Sequence, residues 1–188
     1  MRIRHLFLLV AAVAAASGCA DARTSAGLES PAPSPTATGT ATAGELSDQD
    51  RIWMKKIHQG NLAEVQAGRL AADKATAAKV KEVGELLVED HTALDEKLTD
   101  AAGKLGVKLP TTASGAQKKA AQALESASRA DFDQEFLAAM RKEHSEAIAE
   151  TQTEIKKGSS SGVKAMAEDA LPQLQHHLDM IKEAMKTG

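Results

Sequence analysis

Glu64, His91, His144 and His177 each interrupt an otherwise apolar helical stripe. Neutral imidazoles joined by a carboxylate form a ligand set for Zn, Fe, Mn or Cu. Asp90 in "VEDHT" and Glu143 in "RKEHS" stand beside two of these histidines, and His176 precedes a third. These neighbours can ligate as well, or can orient the rings from a second layer. The residues alone leave an alternative open, a buried polar cluster in which Glu64 accepts hydrogen bonds from the histidines without any metal.

The elements that must position these groups are helices. Residues 47–188 are rich in Ala, Lys, Glu, Leu and Gln and show no strand-like alternation. A first helix opens at Ser47, carries Asp48 and Asp50 in its first turn and runs to about Lys74. Its seam is Trp53, Ile57, Gly60, Glu64, Ala67 and Ala71. A second helix from about Thr76 to Lys104 ends at Gly106, with Val80, Val83, Leu87, His91, Leu94, Leu98, Ala101 and Leu105 inward. "GVKLPTTASGA" then breaks the chain, and a shorter crossover helix follows from about Gln117 to Ser128.

A third long helix opens at Asp131, with Gln134 as capping-box partner, and reaches about Lys157. Its seam is Phe132, Phe136, Met140, His144, Ala147 or Ile148, Thr151 and Ile155. "GSSSG" at 158–162 is a short turn, so the fourth long helix, about Val163 to Lys186, is expected to run back along the third. It turns Val163, Ala167, Ala170, Leu174, His177, Ile181 and Ala184 or Met185 inward. His176 falls on a flank, about 100° round the helix from His177. Pro172 lacks an N–H for the carbonyl of Glu168, which predicts a local kink. The pattern predicts an all-α fold, an antiparallel four-helix bundle of ferritin-like topology with a short crossover helix between helices two and three.

Measured from turns near Ala75 and Ser160, His91, His144 and His177 share one level. Glu64 is offset by about 5 residues, roughly 7 Å at 1.5 Å per residue, and side-chain tilt draws it toward His91. His58, beside the seam, reads as partly exposed. The residues three before His91, His144 and His177 are Val88, Arg141 and Leu174, so the Glu-x-x-His spacing of carboxylate-bridged di-iron bundles is missing. Tyrosine is absent, and neither a glycine-rich phosphate loop nor a serine nucleophile turn is present. No catalytic residue is nominated.

The N-terminus sets an expected compartment. Arg2 and Arg4, an apolar run from Leu6 to Ala16 and small residues ending at Cys19 form a lipoprotein signal peptide over 1–18. Its apolar run is too short for the roughly 20 residues of a membrane span. "ASGC" resembles a lipobox, whose cysteine becomes the acylated first residue of the mature chain; an ordinary signal peptide is the alternative. Cys19 is the single cysteine, so it forms no intramolecular disulfide. Residues 19–46, rich in Ala, Thr, Pro and Ser, read as a disordered tether. The expected location is therefore the extracytoplasmic face of the bacterial cell membrane, reached through lipidated Cys19. A net charge of -3, with only Trp53, Phe132 and Phe136 as aromatics after the signal, argues against nucleic-acid partners.

"GNLAEVQAGRLA", "VKEVGELLVEDHTALDEKL", "FDQEFLAAMRKEH" and "LPQLQHHL" together resemble the bacterial domain of unknown function 4142 family, over nearly all of 47–186. The matching positions are Glu64, Asp90, His91, His144, Pro172 and His177; Glu143 stands where many members have Asp. The resemblance implies a ferritin-like fold on an exported envelope protein and carries no activity. Three functions stay open: transition-metal binding, a metal-free envelope structural or interaction module, and a metal-dependent redox or peroxide-detoxifying enzyme.

Overall fold

The computed structural model describes residues 45–187, so the expected signal peptide, most of the tether and Cys19 lie outside the described residues. The chain is all-α: α1 (Asp48–Lys74), α2 (Ala78–Lys104), α3 (Gly115–Ser126), α4 (Arg129–Lys157) and α5 (Ser161–Thr187). Glu45 and Leu46, placed in the tether by composition, already touch the domain. Leu46 packs near Trp53, and the carbonyl oxygen of Glu45 lies 2.6 Å from Ser159 Oγ.

Local chemistry sets the helix starts. Ser47 caps α1 through a reciprocal box with Asp50, and Ser114 caps α3 in the same way with Gln117. The crossover helix thus begins and ends two residues earlier than expected. The α4 cap is Ser128 rather than the expected Asp131 and Gln134: its hydroxyl accepts from the Asp131 N–H and donates to the Asp131 carboxylate at 2.6 Å. The start of α2 moves the other way, to Ala78, because Ala77 has no capping side chain. Asp133 of α4 supplies the acceptor instead, taking hydrogen bonds from Thr76 Oγ1 at 2.5 Å and Ala77 N at 2.8 Å. Gly106, at φ +67°, ends α2 in the left-handed region. At the far end, α5 runs through Pro172 as one helix.

α1 packs chiefly on α2 and α4 chiefly on α5, with α1 also against α4 and α2 against α5. The α1–α2 approach is close because Gly68 and Gly84 face each other. A Cβ on Gly68 would lie 2.5 Å from the Gly84 carbonyl oxygen, and one on Gly84 would lie 2.7 Å from Ala71 Cβ. The apolar core falls into two parts. One gathers Leu87, Phe132, Phe136, Met140 and Ile181; the other gathers Trp53, Met54, Ile57, Leu98, Val163 and Ala167. The histidines of the seams lie between them in sequence on every helix that carries one. Trp53 Nε1 donates to Thr151 Oγ1 at 3.1 Å, which satisfies the indole N–H inside the second part. Lys74 donates to the carbonyls of Leu124, Glu125 and Ala127 and so holds the C-terminal end of α3 against α1.

Candidate metal centre

His91 from α2, His144 from α4 and His177 from α5 are wholly buried, and one ring nitrogen of each lies within 4.8 Å of the others. His91 Nε2 is 3.4 Å from His144 Nε2, which is 3.3 Å from His177 Nδ1. Two imidazole nitrogens bound to one tetrahedral zinc at about 2.0–2.1 Å stand roughly 3.3–3.4 Å apart, the edge of that tetrahedron. The rings meet edge-on or tilted, with centroids 5.4, 5.1 and 5.3 Å apart.

The partners of the outer nitrogens assign the protons. His177 Nε2 faces Asp90 Oδ2 at 2.7 Å, and His144 Nδ1 faces the Met140 carbonyl at 3.0 Å. His91 Nδ1 faces Asn61 Oδ1 at 2.9 Å; Asn61 Nδ2 donates to Asp95 Oδ1 at 3.2 Å, which fixes the amide with its oxygen toward His91. The Asp90 carboxylate, the Met140 carbonyl and the Asn61 amide oxygen are acceptors, which places each ring's hydrogen on its outer nitrogen. A neutral imidazole has one N–H. The three inner nitrogens therefore present lone pairs to one another, and a cation between them converts that repulsion into coordination. This buried triad can hold a metal ion.

The electrostatics keep the rings neutral. Burial pushes the His91 pKa well below its ordinary value, with the nearby His144 and His177 adding to it. Burial and His177 lower His144 to about 4, against a small opposing effect of the Met140 carbonyl. Burial also lowers His177, although Asp90 pulls the other way. Glu64 is pushed well above the carboxylate range by burial first and the Glu143 charge second.

Glu64 joins the cluster from outside. Its Oε2 lies 3.1 Å from His91 Nδ1 and its Oε1 3.2 Å from His144 Nδ1, the nitrogens turned away from the convergence point. Asp90 holds His177 in place, Glu143 accepts from Gln117 Nε2 at 3.1 Å, and His176 is exposed, its ring centroid 6.3 Å from that of His177. His58 corrects its expectation: it is buried, between Asp95 Oδ1 at 2.7 Å and the Pro110 carbonyl at 2.8 Å. Burial of the ring there pins the loop before α3 onto α1. Sequence reasoning missed Asn61, Asp95 and Gln117. Asn61 precedes Glu64 by one helical turn on the same face, which is the signal that was there to find.

A family model described as a domain of unknown function, DUF4142, matches residues 35–184. The chain belongs to the DUF4142 family. No curated protein matches this DUF4142 chain. Its fold is similar to a crystal structure of a DUF305 fragment from Deinococcus radiodurans, with a TM-score of 0.68 at 10% identity, over 76% of this chain and 99% of that one. At that identity the likeness concerns fold alone. No helix among the described residues of this DUF4142 chain is long and apolar enough to cross a membrane.

Proposed function

We propose that this is an exported metal-binding protein, held at the extracytoplasmic face of the cell membrane by lipidated Cys19. Its domain, 47–188, is an antiparallel four-helix bundle of ferritin-like topology around one transition-metal ion. The bundle reading rests on the pairing of α1 with α2 and α4 with α5, on short turns within each pair and on the longer connection through α3 between them. Export and anchoring rest on the arginines, the apolar run and the small residues before Cys19.

One observation carries the metal reading: three inward lone pairs 3.3 and 3.4 Å apart, each fixed by an acceptor on the opposite nitrogen. His91 Nε2, His144 Nε2 and His177 Nδ1 are the ligands. Asp90 and Asn61 orient two of the rings, the arrangement that fixes tautomers at metal sites. Glu64 braces His91 and His144 and becomes a ligand only if its side chain turns inward. The donor set favours Zn, Cu or Fe over Mn, which prefers oxygen. Binding is the function assigned. A purely structural polar layer would leave the lone pairs opposed.

The test is elemental analysis of the full-length chain purified without chelators or a polyhistidine tag, beside a variant with His91, His144 and His177 replaced by alanine. About one metal ion per wild-type chain and under roughly a tenth of that in a variant that keeps its helical circular dichroism is expected. A wild-type chain that refuses added Zn, Cu and Fe overturns the proposal. For the anchor, Cys19→Ala moves the protein from the membrane to the soluble fraction; persistence at the membrane would count against lipidation.

A further inference from the structure

Resting on the metal reading above, we infer that the pocket beside Glu64 is the route by which a hydrated divalent cation reaches the histidine triad, with Glu143 as the carboxylate that meets it first. The pocket encloses about 250 Å³ between α1, the start of α3 and α4, and its lining includes Gly60, Asn61, Glu64, Gln117 and Glu143. The histidines do not line it and are wholly buried. Glu64 lines it and also touches His91 and His144, so Glu64 stands between the pocket and the triad.

Size and charge select the traveller. A metal ion with six waters occupies roughly 200 Å³ at about 30 Å³ per water, which fits, whereas drug-sized ligands call for about 300–1,000 Å³. Four carboxyl groups and two ammonium groups line the pocket. Both lysines stand at the rim with half or more of the side chain exposed, and each is already taken: Lys142 pairs with Glu146 at 2.8 Å and Lys56 pairs with Glu150. Glu143 is the inner carboxylate left to meet a cation, with Glu64 behind it, and neither ammonium group is free for an anion. Gln117 holds Glu143 in place at 3.1 Å while its Oε1 accepts from Ser114 N at 2.9 Å, which couples the mouth of the route to the capped start of α3.

The absence of a side chain at Gly60 keeps the route open. A Cβ there would sit 3.9 Å from both Gln117 Nε2 and Glu64 Oε2, so small additions fit and larger ones fill the passage. The probe is cobalt(II) mixed rapidly with the metal-free full-length chain, followed by the visible absorption of the bound ion. Gly60→Leu is expected to load about tenfold or more slowly, with the same final stoichiometry, because its branches reach into the space between Gln117 and Glu64 in a close-packed region. Glu143→Gln, which keeps the shape, is expected to load several-fold more slowly and to lose most of the salt dependence of the rate. Val65→Leu, in the hollow on the other side of Asn61 between α1 and α2, which Glu64 and Glu143 do not line, serves as the control with wild-type loading.

Wild-type rates in both pocket variants, or equal slowing in Val65→Leu, overturn the route while leaving the metal site intact. Failure of the wild-type chain to bind cobalt(II) at all removes the site and the route together.

Discussion

Two buried polar clusters of this molecule are built on opposite shortages. The histidine layer has acceptors to spare: its N–H groups all point outward to Asn61, Met140 and Asp90, and its inner lone pairs meet no donor among the described residues. The second cluster sits where the start of α1 meets the turn between α4 and α5, and there the donors abound. The Asp50 carboxylate accepts from Ser47 N and Ser47 Oγ, both at 2.6 Å, and from Ser159 Oγ at 2.8 Å, Ser159 N at 3.1 Å and Ser160 N at 3.2 Å. Burial opposes ionisation of Asp50, but hydrogen bonds from Ser47, Glu154 and Ser159 outweigh it and hold the group well below the usual carboxylate range. The cluster is complete once Glu154 contributes its own proton. Glu154 Oε1 is buried and without a donor among the described residues, and burial followed by the hydrogen bond to Asp50 raises the Glu154 carboxyl to about 7, so below that pH it carries a proton. Burial alone therefore does not nominate a ligand site; a convergence of lone pairs without donors makes a site that could hold a metal ion.

Metal addition separates the two clusters most strongly. With free zinc at about 1,000 times Kd, binding to the folded state alone raises stability by about 4 kcal/mol, read as a shift of the urea midpoint. His144→Ala is expected to abolish the shift. An unchanged wild-type midpoint would put both clusters in one structural class.

The contrast was half legible in the sequence. His91, His144 and His177 interrupt stripes of strong helical period, and period alone turns them inward, where they are wholly buried. Their partners were not legible. Asn61, His58 and Asp95 are polar residues of the kind that normally face solvent, and only the arrival of α2 and the loop at Pro110 encloses them. On α4 the expected seam residue Ile155 packs against the second core part, but Glu154 beside it is the fully buried residue, because the turn at 158–160 and the capped start of α1 close over it. Gly158 belongs to the same closure: a Cβ there would run into Glu154 Oε1 and Asp50 Oδ1. The start of α2 failed for the same reason, since its cap comes from Asp133, a residue of a later helix. Periodicity reports which face is inward, and long-range closure decides which polar groups that face must satisfy.

Asp50→Ala tests the donor-rich cluster. It strands the Ser47, Ser159 and Ser160 donors and removes the side-chain half of the α1 capping box, so a loss of about 2–4 kcal/mol is expected. Metal content should stay at the wild-type level. A variant that loses its metal along with its stability would show that the two clusters are coupled.

Glu154→Gln gives a smaller and more specific effect, visible only in its pH dependence. Burial, followed by the hydrogen bond to Asp50, raises Glu154 from 4.5 to about 7, so between those values the folded chain binds a proton that the unfolded chain releases. Stability must then fall as pH rises from about 4.5 to 7 and level off above, because the folded state holds more protons across that window. The loss is about 1–2 kcal/mol, less than the whole shift converts to, since solvent near the turn screens the charge. Glutamine keeps the shape and offers a permanent N–H where the acid offered a proton. The Glu154→Gln chain should therefore lack this decline and exceed wild type in stability at pH 8 while matching it near pH 4.5. A decline across that window as steep as in the wild type, followed by urea unfolding, would place the titrating group elsewhere and remove the shared proton from the account of this cluster.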